Sequence, residues 1–375
     1  FLHVTLLPFI KTAGELKTKP TQHSVKELQG MGIQPDLLLC RTEDKIPKEQ
    51  KSKIALFCNI KPETVIEALD ASSIYEVPIS YHKEGLDYQI CKHFKLDVSK
   101  KPNLSRWENI AEIQRSSEGN VKIGIVGKYI SMIDAYKSLI EAINHGGLDN
   151  NIRVTIKWID SEKLEEKNVN THDIFNDING IIVPGGFGER GSEGKINAIN
   201  YARLNKIPFF GICFGMQMAV IEFARNVLKF KNASSSEFGA TKLPLIGLLT
   251  EWHTKTGLEK RNKDSNLGGT MRLGAYDCNL LEDSFVKSIY KKKVISERHR
   301  HRYEVNNKFI TDFKKKGFIF SGMSPDNALP EIFEIPLHPW FIGVQFHPEL
   351  KSKPFDPHPL FSSFINASLK QSRLL

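Results

Sequence analysis

Three short stretches of this 375-residue chain carry side chains whose types and spacing could make and break bonds. The first is Gly211-Ile212-Cys213-Phe214-Gly215-Met216-Gln217, at the seam between an apolar strand, Pro208–Cys213, and a helix, Phe214–Arg225. G-x-C-x-G in that setting is the cysteine form of a nucleophile elbow: the tight turn pushes the central side chain out at the carboxyl end of a sheet. The helix start lowers the thiol pKa and supplies a backbone N–H for an oxyanion. Taken alone, the heptapeptide fits a core cysteine between two structural glycines equally well. The second stretch, His347-Pro348-Glu349, follows the apolar strand Phe341–Phe346. Residues two apart share a face of an extended segment, so Glu349 can fix the tautomer of His347 and favour its protonated form. Thiol, imidazole and carboxylate are the parts of a thiol-dependent acyl transfer, and their distance in sequence is no obstacle, because triads assemble in space.

The third stretch is Pro184-Gly185-Gly186-Phe187-Gly188-Glu189-Arg190-Gly191, after the strand Gly180–Val183. Gly186, Gly188 and Gly191 satisfy G-x-G-x-x-G. The dinucleotide fingerprint, however, belongs in a first βα turn, with an acid closing the next strand. Here the next strand closes on Phe210-Gly211-Ile212-Cys213. The preferred reading is a loop presenting backbone N–H groups to an oxyanion beside the thiolate.

These stretches need a scaffold that brings strand ends together. Apolar runs at Val121–Val126, Arg153–Ile159, Gly180–Val183 and Pro208–Cys213 alternate with helical patterns at Asp134–Asn144, Ser192–Leu204 and Phe214–Arg225. That alternation predicts an α/β fold, a parallel sheet covered by helices on both faces. Beyond Pro244 shorter strands and basic loops follow, the sheet resumes at Phe341–Phe346, and Pro359–Leu369 closes the chain as a helix. The first region, residues 1–105, reads as a strand Val4–Ile10, a turn at Gly14 and a basic, Pro-broken segment Lys17–Gln22. After it come a helix His23–Gly30, a strand Leu37–Cys40, an apolar stretch Lys53–Asn59 and a helix Pro62–Leu69. Residues 106–120 read as a linker that contains a helix over Trp107–Asn120, and residues 121–375 as a second domain. Phe1–Ile10 reads as an internal strand of a longer protein.

Composition narrows the function classes. Mean hydropathy is −0.30 and no apolar run reaches the ~20 residues that span a bilayer. The five cysteines are widely spaced with no C-x-x-C, which points away from a disulfide scaffold or zinc ribbon and towards a reducing, cytoplasmic setting. The net charge of +9 invites a nucleic-acid reading. Yet residues 255–316 alone hold 16 Lys/Arg against 8 Asp/Glu, and no recognition motif or basic helix with interleaved aromatics accompanies them. Within that segment His299 and His301 lack the further Cys or acid pair of a metal site. Interleaved with Arg298, Arg300 and Arg302, they read as an anion-facing strand.

Together, the elbow, the Pro-Gly-Gly-Phe-Gly loop and the Phe-His-Pro-Glu strand end resemble the class I glutamine amidotransferases. Lys17–Gln22 with His23–Leu28, Asp134–Ser138, Leu267–Gly274 and Arg298–Asn306 sharpen the resemblance to the CTP synthase family over essentially the whole chain. It implies a flavodoxin-like glutaminase domain preceded by the C-terminal part of a P-loop-type amidoligase domain. By that resemblance Cys213 would attack the side-chain amide of L-glutamine, His347 would pass the proton to departing ammonia, and Glu349 would orient His347. Backbone groups near Gly186, Phe214, Gly215, Met216 and Gln217 would line the oxyanion and glutamine site, and Glu237 and Arg302 would grip the α-amino and α-carboxylate groups. A zwitterion needs one anchor of each sign, and a planar guanidinium suits a carboxylate.

The resemblance further implies that Lys17, Thr18, Lys19, Pro20, Thr21, Gln22 and Lys53 hold UTP, and CTP as feedback inhibitor. Leu69, Asp70 and Ala71 would lie at the adenine end of ATP. GTP is implied as an activator of glutamine hydrolysis and a homotetramer as the assembly of the full enzyme. Part of the positive segment would then serve GTP, with its lysine triplets as solvated surface. ATP and Mg²⁺ are implied for the amination of UTP, but these 375 residues contain no G-x-x-x-x-G-K-[ST] loop and no acidic Mg²⁺ ligands of that family. The expectation is glutamine hydrolysis by this chain and CTP formation only with an upstream fragment. The rival readings are another class I amidotransferase or a γ-glutamyl hydrolase, which would have no use for Lys17–Gln22, and a non-catalytic or uncoupled UTP- or CTP-binding oligomer subunit.

Overall fold

Two apolar strands too short to stand alone, Leu2–Leu6 (β1) and Leu37–Thr42 (β2), pair in parallel from Leu2↔Leu37 onward and start the N-terminal sheet. The computed structural model that shows this describes the chain except residues 13, 117–119, 129–131, 167, 249–250, 255–256, 261–270 and 374–375. Parts of the linker, of the Leu267–Gly274 motif and of the basic segment 255–316 therefore lie outside the described residues. The chain divides into two units, Phe1–Ser116 and Ser117–Leu375.

In the first unit β2 pairs in parallel with Val65–Leu69 (β3), giving the order β1-β2-β3. The helix expected over Pro62–Leu69 is instead a single 3₁₀ turn, Pro62–Thr64, running into that strand. Val65, Ile66, Glu67 and Ala68 are all buried, and an unbroken buried run carries no helical period to read. The expected strand Val4–Ile10 also divides: Phe9–Ile10 forms a separate hairpin with Glu15–Leu16, beyond Pro8, which has no N–H to give a ladder. The helix expected from His23 starts at Lys19, with Pro20 in its first turn where a missing N–H costs nothing. The helix Ser105–Ser116 packs on this unit, with Trp107 stacked on Tyr75 at 6.4 Å and Ile110 and Ala111 buried.

The second unit is built on one nine-stranded sheet. Its strands in chain order are Asn120–Gly127 (β4), Arg153–Asp160 (β5), Gly180–Val183 (β6), Phe209–Ile212 (β7), Arg272–Leu280 (β8), Val294–His301 (β9), Ile319–Met323 (β10), Pro330–Glu334 (β11) and Phe341–Val344 (β12). Across the sheet they run β9-β8-β10-β11-β12-β7-β6-β4-β5. From β12 to β5 neighbours are parallel, as the βα alternation predicts, whereas β9 to β12 are antiparallel. The helices Ser192–Leu204 and Phe214–Asn226 pack with one face in a core that includes Phe209, Phe333 and Phe341. Lys137–Asp149 and Pro359–Ser372 cover the other around Phe210, Trp340 and Phe364. Among the described residues no helix is long and apolar enough to cross a membrane.

Candidate active site

The parallel half of the sheet delivers the three sequence motifs to one edge. β7 pairs with β12 (Ile212↔Val344) on one side and with β6 (Val183↔Gly211) on the other. Cys213, His347 and the glycine loop thus leave the carboxyl ends of three adjacent parallel strands, the position where open α/β sheets bind ligands. Cys213 has φ 52° and ψ −102°, a left-handed backbone that is uncommon for a residue with a Cβ, at the junction of β7 and the following helix. Its N–H is anchored to Val344 O at 2.7 Å. The glycines around it serve clearance, not φ. A Cβ on Gly215 would lie 1.9 Å from the Val183 carbonyl oxygen, and one on Gly211 would lie 2.9 Å from the backbone of Gly215.

His347 is held from two sides. Its N–H donates to Arg298 O of β9 at 2.8 Å, and its Nδ1 lies 2.7 Å from Glu349 Oε1. Burial opposes a charge on the imidazole, but the neighbouring Cys213 sulfur and the Glu349 carboxylate outweigh it and raise His347 to about 11. Gly185 closes against the ring: a Cβ there would sit 2.8 Å from His347 Cε1 and 3.8 Å from Cys213 Cβ. Behind the thiol, Gln345 Nε2 donates to Cys213 Sγ at 3.7 Å and Gln217 Nε2 donates to Gln345 Oε1 at 3.2 Å and to Tyr303 O at 2.9 Å. Gln217 therefore braces the thiol's neighbour from within the protein. Met216 is fully buried in the core.

The glycine loop gathers charge. Gly188 N–H donates to Glu237 Oε1 at 2.7 Å, and Lys128 Nζ donates to the Phe187 carbonyl. Burial raises the Glu237 carboxyl, opposed by that N–H and by the charges of Lys128, Lys195 and Arg302. Arg302 Nε is buried and without a hydrogen-bond partner in the protein. Glu237 and Arg302, expected from the resemblance, thus share one electrostatic neighbourhood. Lys195 and Gln345 do not emerge from the sequence reading. The available signals were a lysine on a stripe with Ala198, Ile199 and Ala202, and a glutamine between Val344 and Phe346.

The anion-facing reading of His299 and His301 is overturned. β9 alternates in burial, so Arg298 and Arg300 face outward while His299 and His301 are buried. His299 Nδ1 lies 2.9 Å from His301 Nε2, and the pair abuts Glu331 and Glu304, which also hold Arg272. Burial, with Arg272 alongside, pushes both imidazoles well below their usual range. The triplets Lys291-Lys292-Lys293 and Lys314-Lys315-Lys316 are exposed.

In the first unit Lys17 pairs with Glu15, whose carboxyl is lowered by that contact and by the charge of Lys53. Thr18 and Thr21 are buried, Thr21 Oγ1 donating to Leu6 O at 3.1 Å, while Gln22 Nε2 reaches Thr18 Oγ1 at 3.1 Å. Lys19 and Pro20 are exposed in the first helical turn, whose N–H groups favour an anion. Leu69, Asp70 and Ala71 close β3, and Asp70 is paired with Arg41 at 2.6 Å. Among the described residues no group of three or more His, Cys, Asp or Glu side chains is placed to hold a metal ion.

Residues 131–367 match the glutamine amidotransferase class-I family and residues 1–96 match the CTP synthase N-terminus. A CTP synthase of Paramagnetospirillum magneticum is 60% identical over 375 residues, all of this chain and 69% of that protein. The chain belongs to the CTP synthase family. A second CTP synthase, from Rhodospirillum rubrum, is 59% identical over 374 residues, again 69% of its length. The glutaminase domain of Trypanosoma brucei CTP synthase, solved with bound acivicin, superposes with a TM-score of 0.60 at 38% identity, covering 67% of this chain and 94% of that one. As a CTP synthase the chain is a ligase that carries a glutamine amidotransferase domain, with the α/β architecture expected.

Proposed function

We propose that this CTP synthase releases ammonia from L-glutamine through Cys213, His347 and Glu349, for the ATP-dependent amination of UTP to CTP. The observation that carries the reading is the emergence of Cys213 and His347 from paired strand ends, with Glu349 on the far nitrogen of the imidazole. The Cys213 sulfur attacks the amide carbon of glutamine, and the oxygen gathers charge against backbone N–H groups of the Gly186 loop and Phe214. His347, held protonated between thiol and carboxylate, gives its proton to the leaving ammonia and leaves a γ-glutamyl thioester. The neutral imidazole then takes a proton from water, which attacks the thioester and frees glutamate. Glu237 receives the α-ammonium of glutamine and Arg302 its α-carboxylate.

For the amination half, Lys17–Gln22 and Lys53 are the proposed UTP and CTP site, and Leu69–Ala71 the adenine end of ATP. ATP, with its Mg²⁺, supplies the phosphoryl group that activates UTP. GTP is proposed as the activator of the glutaminase half, and a homotetramer as the assembled enzyme. The test follows glutamate release from glutamine by the purified chain and by Cys213→Ala, with and without GTP. Cys213-dependent release is expected, and its absence under both conditions overturns the reading. Adding UTP, ATP, Mg²⁺ and ammonia then asks whether the chain by itself completes the second half; the expectation is that it does not.

A further inference from the structure

Gln345 is a polar side chain in an apolar place. It follows β12 between Val344 and Phe346, both part of the core around Phe210 and Trp340, and is itself fully inaccessible to solvent. Its main chain only continues the sheet ladder, its N–H donating to Glu331 O at 2.8 Å. A methionine would fill a similar volume with no strong polar group to satisfy, whereas a buried amide costs stability unless its hydrogen bonds are made. One of the bonds this amide makes is to the proposed nucleophile: Nε2 donates to Cys213 Sγ at 3.7 Å.

A glutamine amide has a donor end and an acceptor end, and its neighbours decide which one meets the sulfur. Tyr303 O is a backbone carbonyl and can only accept, so the Gln217 atom 2.9 Å from it must be the donor, Nε2. The same nitrogen lies 3.2 Å from the Gln345 amide, and a donor must meet an acceptor, so Gln345 turns Oε1 towards it. That leaves Nε2 of Gln345 for Cys213. Every link thus has one polarity, set by the Tyr303 carbonyl. Both supports of the chain are themselves held. Tyr303 lies in the strand Tyr303–Val305, paired with Leu243–Leu248, and Gln217 stands in the first turn of the helix after Cys213, its own N–H donating to Cys213 O at 3.2 Å.

We propose that Gln345 is a further catalytic residue of this site: its amide N–H holds the anionic Cys213 sulfur, and Tyr303, acting through Gln217, fixes the amide in the donating orientation. The catalytic role rests on the glutaminase reading above and deepens it. A hydrogen bond to an anion is about twice as strong as one to a neutral acceptor, so the contact favours the thiolate over the thiol. It acts before the sulfur attacks the amide carbon of glutamine. It acts again when the C–S bond of the thioester adduct breaks and the electron pair returns to sulfur. The amide has no proton to lose in this pH range, so the support is the same whether His347 is protonated or neutral.

The experiment follows alkylation of Cys213 by iodoacetamide from pH 4 to 9 in the wild-type chain, Gln345→Met and Gln217→Met, read by mass spectrometry on the peptide that carries it. The thiolate is the species that reacts, so the profile reports how readily the sulfur ionises. Gln345→Met removes the donor and keeps the bulk. It is expected to raise the pH of half-maximal alkylation by about one unit and to lower kcat/KM for glutamine about tenfold at neutral pH. Gln217→Met leaves Gln345 in place but frees its amide to turn, and should shift the profile the same way by less. A packing role alone would lower the melting temperatures and leave both profiles where the wild type has them. A Gln345→Met profile that overlays the wild type overturns the proposal; should that variant not fold, an overlaying Gln217→Met profile overturns it instead. Alkylation needs no glutamine, so the two claims fail separately. Shifted profiles without Cys213-dependent glutamate release overturn the glutaminase reading and the catalytic role, and confirm the hydrogen bond to sulfur.

Discussion

Nδ1 of His347 lies 2.7 Å from Oε1 of Glu349, two residues further along the chain, with both side chains largely withdrawn from solvent. The carboxylate therefore fixes the imidazole's orientation and adds to the thiol's pull on its proton. Glu349→Gln keeps the shape and removes the charge, so His347 should release its proton more readily. The alkaline limb of kcat for glutamine hydrolysis is expected to move to lower pH, with kcat down by roughly 10²-fold or more at neutral pH. A pH profile of the variant that overlays the wild type would show that Glu349 does not orient the base.

Two glycines of the site should respond to alanine in opposite ways. At Gly185 a methyl group would meet the edge of the His347 ring at 2.8 Å, and a ring can tilt. Gly185→Ala should then lose most glutaminase activity while its melting temperature moves little. At Gly215 the methyl would stand 1.9 Å from the Val183 carbonyl oxygen, which belongs to the sheet and cannot move aside. Gly215→Ala should cost stability, about 1–3 kcal/mol or more. Thermal melts and glutamate assays on the two variants separate the effects.

The parts of this site that the sequence revealed are those whose geometry is local. An elbow is a strand, a strained residue and a helix in succession, and a carboxylate two residues from a histidine in extended chain needs no distant partner. Lys195 and Gln345 acquire their surroundings only when folding buries Lys195 against Phe214 and Gln345 against Cys213, and no short window of sequence contains that. His299 and His301 illustrate a different blindness. Their strand alternates outward arginines with inward histidines, and because both are polar the period of two leaves no hydrophobic trace. The parallel half of the sheet was legible from its βα alternation. The antiparallel half was legible only as shorter strands among basic loops, since charged inward faces hide which strands join the sheet and in what order.

The two proposed anchors of glutamine should fail separately. Arg302 Nε is buried with no hydrogen-bond partner in the protein, and its guanidinium is the cation proposed for the α-carboxylate. Glu237 already accepts from Gly188 and supplies the opposite charge. Glu237→Gln and Arg302→Lys are each expected to raise the glutamine KM by roughly 10- to 100-fold, as the loss of a charged hydrogen bond of about 1.5–3 kcal/mol predicts. The effect should fall mainly on KM, because both groups hold parts of the substrate that do not react. Saturation kinetics on the two variants check this, and an unchanged KM in either would remove that residue from the site.

A buried cluster on the strands beside His347 gives the last prediction its sign. Arg272 lies between Glu331 at 2.5 Å and Glu304 at 3.4 Å, all three nearly inaccessible to solvent. Burial raises both carboxyls against the pull of Arg272, Glu331 to about 7 and Glu304 well above its usual range. A carboxyl whose folded pKa is raised contributes stability that is fully present below its unfolded value of 4.5 and is lost as pH rises through the folded one. Removing the guanidinium in Arg272→Met raises both carboxyls further, so their loss deepens at alkaline pH and stays small at acidic pH. His299 and His301 push the same way, because Arg272 opposes their protonation and the variant relieves that cost in acid. Arg272→Met should therefore be destabilised by about 3–5 kcal/mol at pH 8, the usual cost of orphaning a buried charge, and by much less at pH 5. Urea denaturation of both proteins at the two pH values measures the difference. An equal loss at both would mean that the cluster keeps its charges without Arg272, and that the guanidinium contributes packing alone.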